Sequence, residues 1–65
     1  MRYVLKIIRK NCRETIVSEQ FCGTALDAEK RLAELWNEHA AHDGDNRFRA
    51  TMTERSTRYV LHTIN

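Results

Sequence analysis

Proline is absent from the 65 residues, and glycine occurs only at Gly23 and Gly44. A glycine-rich loop of the kind that cradles nucleotide phosphates therefore cannot be built. A proline-stiffened linker is excluded as well. With no linker, low-complexity tract or break in composition, residues 1–65 read as a single domain. Cysteine is limited to Cys12 and Cys22, too few for a disulfide framework. If both lie on one extended segment, they stand roughly 30 Å apart at ~3.3 Å per residue, far beyond the ~7 Å a disulfide tolerates. They read as free thiols, which fits a reducing cytoplasm. Lys6 and Arg9 interrupt the N-terminal apolar run, so neither a membrane span nor a signal-peptide core is expected there.

Catalytic and metal-binding patterns are missing too. No spacing brings Ser, His and an acid, or Cys and His, into a recognisable nucleophilic arrangement. The helical acids predicted below face solvent and not the enclosed cleft in which catalytic carboxylates work, so an enzyme is not expected. His39 and His42 stand three apart, while Cys12, Cys22 and His62 are scattered. No close pair of the kind that announces zinc occurs, and no cofactor is expected. Asp43-Gly44-Asp45 resembles the start of a calcium loop, but Arg47 and Phe48 occupy positions needing a ligand and a glycine.

What is present is a regular alternation. Residues 2–10 place Tyr3, Leu5 and Ile7 on one side, and Arg2, Val4, Lys6, Ile8 and Lys10 on the other, the pattern of a half-buried strand. Asn11-Cys12 supplies a turn. Residues 14–21 make a second strand, less apolar and so expected at an edge. Its inward parity is ambiguous between Val17 with Phe21 and Ile16. Thr24 then caps a helix whose third position holds Asp27. Ala25, Ala28, Leu32, Leu35, Trp36 and His39 share one face of it, and Asp27, Lys30, Arg31, Glu34 and Glu38 the opposite one. An end near His42 is expected, with Gly44 as left-handed cap. Residues 47–53 alternate again, Glu54-Arg55-Ser56 turns, and 57–64 forms a last strand with Tyr59 and Leu61 inward.

The predicted fold is α+β: ββαββ, a four-stranded, mainly antiparallel sheet with one helix packed on a single face. Leu5, Ile7, Leu32, Leu35, Phe48 and Leu61 form the expected core. A right-handed hairpin–helix–hairpin path gives the strand order 2-1-3-4, unless the two end strands lie side by side. Those end strands share a phrase, RYVL at residues 2–5 and again at 58–61. Two strands solving one packing problem beneath one helix would explain it, and a duplicated hairpin is the alternative.

Charge is segregated along the chain. Residues 1–22 carry five basic and two acidic side chains, residues 23–45 two and six, and residues 46–65 four and one, so +3, −4 and +3 sum to +2. The fold would gather Arg2, Lys6, Lys10, Arg47, Arg49 and Arg58, with His62, on the uncovered sheet face among Val4, Ile8, Val60 and Ile64. The outer helix face would be acidic. Such a basic face either keeps a bare sheet soluble with its edges unpaired or docks an acidic partner. Phe21 apart, every strand aromatic has inward parity, which argues against stacking of single-stranded bases. Trp36, beside the small strip Leu26, Ala33 and Ala40, either closes the core over a sheet edge or meets a partner.

In its size, its TALDAEKRLAELW helix (Thr24 to Trp36) set between strands, and its segregated charge, the chain resembles the small single-domain inhibitor proteins of phages and mobile elements, including those of the anti-CRISPR type. The resemblance spans the whole chain and assigns no individual residue a role. It implies a non-enzymatic binding protein that blocks or adapts a larger protein or ribonucleoprotein through the basic sheet or the acidic helix. A small nucleic-acid-associated protein contacting phosphates through the sheet is the alternative. Homodimerisation through a strand edge could accompany either, and no membrane partner is expected.

Overall fold

Four strands pair antiparallel in the order β2-β1-β3-β4: β1 (Arg2–Arg9), β2 (Thr15–Cys22), β3 (Phe48–Glu54) and β4 (Val60–Ile64), with helix α1 (Ala25–His39) between β2 and β3. The computed structural model describes residues 1–40 and 47–64. His42, Asp43, Gly44 and Asp45 therefore lie outside the described residues. None of the described helices is long and apolar enough to cross a membrane.

Each element follows from local chemistry. Thr24 adopts extended backbone and its Oγ1 accepts the Asp27 N–H at 3.2 Å, satisfying one of the orphan donors of a helix start. The helix ends at His39, short of the expected His42, because Ala40 leaves helical geometry at φ −120° while its N–H still bonds Trp36. Ala28, Leu32 and Leu35 on α1 meet Tyr3, Leu5, Ile7, Phe48, Ala50 and Met52 from β1 and β3 in one buried cluster. Leu5, Ile7 and Leu32 are fully buried. The β1–β2 register slips between Ile7 and Ile8, which face Val17 and Thr15. That bulge resolves the parity conflict in β2: Ile16 is the extra residue, and Ile16, Val17 and Phe21 all pack against the core.

The fourth strand departs from expectation. Tyr59 and Leu61 are not inward but 71% and 50% exposed. The second RYVL phrase thus solves no packing problem like the first, whose Tyr3 and Leu5 are buried. Arg58 sits in left-handed backbone at φ 63°, so the ladder starts only at Val60. A further slip then moves the pairing from Thr53↔Val60 to Met52↔His62, leaving Leu61 as the unpaired residue. His62 and Ile64 consequently fall opposite Met52 and Ala50 on the helix side, not on the outer face. The cause is width. A helix ~10–12 Å across covers about two strands spaced ~4.8 Å apart; here those are β1 and β3.

The flank of α1 toward β2 is tied down by Arg31, whose Nε and Nη2 donate to Glu19 at 2.7 and 2.9 Å. Side-chain hydrogen bonding lowers the Glu19 carboxyl below its ordinary value and raises the guanidinium further. Trp36 lies on the opposite flank and packs half-buried against the core. Of the small strip beside it, Ala40 is buried while Leu26 and Ala33 are exposed.

Between β2 and α1, Gly23 takes φ 153°, and a Cβ there would stand 3.1 Å from the Phe21 ring. Gly23→Ala is expected to destabilise the fold by more than the ~0.4–1 kcal/mol that the same change confers at a compatible site. Urea denaturation measures it, and a gain in stability would contradict this backbone.

Candidate docking face

The sheet face away from α1 is built by strand parity alone. Along β1 it presents Arg2, Val4, Lys6 and Ile8, the last three half-buried. Register sets Lys6 between Ser18 and Thr51, Val4 between Gln20 and Thr53, and Ile8 beside Arg49. The floor is therefore aliphatic and hydroxylic, with one lysine at its centre.

Cations gather at its two ends. Near the β1–β2 turn, Ile8, Lys10, Arg13 and Arg49 line a depression of about 420 Å³. At the other end, Val4, Lys6, Thr53, Glu54, Arg55 and Arg58 line one of about 390 Å³. Beside it Arg2 and Arg55 share a third hollow with Met1, Glu54 and Ser56. Val4 and Ile8 are four residues apart, which sets the depressions they line ~13 Å apart along the strand.

Five of the six cations expected from the sequence line these hollows. Lys6 and Arg58 meet at one end, Lys10 and Arg49 at the other, and Arg2 marks the rim. Arg47 precedes β3, exposed, with its carbonyl accepting the Lys10 N–H at 2.8 Å; it lines none of the three. Arg13 and Arg55 complete the set, and parity counting passes over them because they stand in turns. Arg9 is not a member: its guanidinium sits 5.8 Å from the centre of the Phe48 ring.

Both Arg13, at φ 55°, and Arg58, at φ 63°, occupy left-handed backbone, where glycine or asparagine is the inexpensive choice. Each hairpin thus spends conformational energy to place an arginine at one of the two cationic depressions. Strain of this kind concentrates at functional sites.

The second hairpin is organised by Glu54. This residue has inward parity opposite Tyr3 and is only 8% exposed. One carboxylate oxygen accepts from the Ser56 N–H at 3.2 Å and from the Ser56 hydroxyl. The other accepts from the Thr57 N–H at 2.9 Å and from the Thr57 hydroxyl. These bonds, first the Ser56 and then the Thr57 hydroxyl, pull the carboxyl down to about 2 from 4.5. Glu54 is therefore ionised at neutral pH and ties down the turn bearing Arg55 and Arg58.

Most of the described acidic side chains lie away from this face. Asp27, Glu29, Glu34 and Glu38 are on α1, and Glu19 is bound to Arg31. Glu14 lies in the first turn, 3.8 Å from the Cys12 thiol. Cys12 lies in that turn and not on a strand; it and Cys22, at the end of β2, are exposed free thiols. No protein-family model, curated protein or solved structure matches the chain.

Proposed function

We propose that this protein is a non-enzymatic docking module that covers an acidic surface of a larger protein or ribonucleoprotein with its open sheet face. The observation supporting this reading most directly is the pair of strained arginines, Arg13 and Arg58, one at each cationic depression. The face also has the anatomy of a protein interface, an apolar and hydroxylic centre with arginines around it. Occlusion of a partner's acidic site is how an inhibitor of the phage or anti-CRISPR type would use such a surface. Free cysteines at Cys12 and Cys22 suit action in a reducing cytoplasm.

The test is a pair of variants. In Arg49→Glu with Arg58→Glu, exposed charges are reversed at both ends, which should leave folding almost untouched and abolish partner capture from producing cells. Recovery of the same partner at undiminished affinity would refute the docking face and shift attention to α1. Separately, Arg58→Gly relieves left-handed strain while loosening the unfolded chain, so its stability should stay within about 1 kcal/mol of the parent. Its partner affinity should still fall.

Phosphate-backbone binding is the second reading, favoured by the same cations. It predicts nuclease-sensitive capture and an affinity that collapses between about 50 and 200 mM salt through counterion release.

A further inference from the structure

The two edges of the sheet are treated differently by the sequence. At one edge, β2 carries Glu19 on its helix-facing side, locked by two hydrogen bonds to Arg31. An inward-pointing charge is a device by which natural sheets block edge pairing. At the other edge, β4 reads Val-Leu-His-Thr-Ile, with no lysine, acid or proline. The helix leaves it uncovered, and Tyr59, Val60 and Leu61 are 71%, 57% and 50% exposed. Among the described residues no strand pairs with the outer side of β4, and such an edge offers a row of N–H and C=O groups together with apolar side chains.

We infer that β4 pairs antiparallel with β4 of a second copy of this chain, joining two four-stranded sheets into one of eight strands. The inference is independent of what the outer face binds. Charge singles out the occupant. Val60–Ile64 carries no Asp, Glu, Lys or Arg side chain, so the strand opposite itself brings no like-charge clash between such groups. Arg58, just before the strand, is carried to opposite ends of the pair by antiparallel alignment. The Arg49-bearing strands of the two copies are three strand spacings apart, ~14 Å, beyond the ~8 Å screening length of physiological salt.

The symmetry has a consequence. Antiparallel neighbours are related by a two-fold axis perpendicular to the sheet, so both cationic faces lie on one side and both helices on the other. The dimer would present Lys6, Arg13, Arg49 and Arg58 twice on one continuous surface.

A five-residue strand buries less than the ~1,200–2,000 Å² of a stable complex, so association should be reversible. Sedimentation of the intact protein from about 10 μM to about 1 mM, spanning the range where such weak interfaces operate, should show a mass rising toward twice 7.7 kDa. Leu61→Lys with Thr63→Lys places charge on the exposed edge. This variant should remain monomeric throughout, with the circular dichroism spectrum of the parent and a melting midpoint close to that of the parent at the lowest concentration, where it too is monomeric.

Hydrogen exchange identifies the edge used. Amides within Val60–Ile64 that do not bond β3 should slow as the parent protein is concentrated, while outward amides of Thr15–Cys22 should not. A parent monomeric at the highest concentration overturns the inference and leaves the edge for a strand from another protein. A dimer that persists in the lysine variant, or that protects β2 instead, overturns it equally.

Discussion

Replacing Leu32 with alanine is expected to lower the unfolding free energy by ~2–5 kcal/mol, the usual cost of emptying a fully buried leucine site. Leu32 is completely buried, at the point where α1 meets β1 and β3. At about 0.05–0.15 kcal/mol per residue, a chain of 65 residues has roughly 3–10 kcal/mol in total. The variant therefore loses a large share of its stability and at the lower bound does not fold. Urea denaturation followed by circular dichroism measures the change. The matched control is Leu26→Ala on the same helix. Leu26 is 62% exposed, and its truncation should stay within about 0.5 kcal/mol of the parent. A loss well under 1 kcal/mol at Leu32 would mean that α1 does not sit on β1 and β3 as described.

Leu32, Leu5 and Ile7 could be placed from the sequence because two periodicities agree about them. The period of 3.6 in α1 and the period of two in β1 each give a single apolar stripe, and one helix can cover one pair of central strands. Residues 57–64 have the same alternation as residues 2–10, yet Tyr59 and Leu61 came out exposed. Alternation reports which side chains share a face, and it does not report whether a helix is wide enough to cover that strand. It also presupposes an unbroken ladder. The left-handed Arg58 and the slip at Leu61 break it, moving His62 and Ile64 to the helix side.

The cationic face was legible for a related reason. Arg2, Lys6 and Lys10 share one parity on β1 and its extension, and strand order then set Arg49 beside them. Arg13 and Arg55 were invisible to that logic, because a turn has no period. What distinguishes Arg13 and Arg58 from the other surface cations is φ, which a sequence does not print. A basic residue falling where a hairpin needs left-handed backbone, in place of the glycine or asparagine normally found there, is the closest sequence-level sign.

Glu54 links that face to stability, and its replacement by glutamine is expected to destabilise the second hairpin. The two carboxylate oxygens each accept a backbone N–H and a hydroxyl, from Ser56 and from Thr57. Glutamine keeps one accepting oxygen but turns an NH₂ toward the other pair of donors, leaving either the Ser56 or the Thr57 N–H facing a donor. That donor loses its bond to the carboxylate, although Ser56 and Thr57 are themselves exposed and water replaces part of it.

The acid limb makes the effect separable from simple misfit. The folded carboxyl is held at about 2 and the ordinary value is 4.5. Because the folded value is depressed, the stabilisation is complete above about 4.5 and is lost as pH falls toward 2. Glu19, lowered by Arg31, contributes in the same direction. Melting midpoints of the parent should therefore fall steeply across this window. Those of Glu54→Gln should start lower at pH 7, decline less, and meet the parent's near pH 2. Two curves running parallel down to pH 2 would show that the Glu54 carboxylate is not what holds the turn. At neutral pH the same variant should weaken partner binding although no cation has been removed, since Arg55 and Arg58 would stand on a loosened hairpin. On the docking reading, restoring stability with a second, distant substitution should not recover that binding, because what is missing is the placement of two arginines and not the survival of the fold.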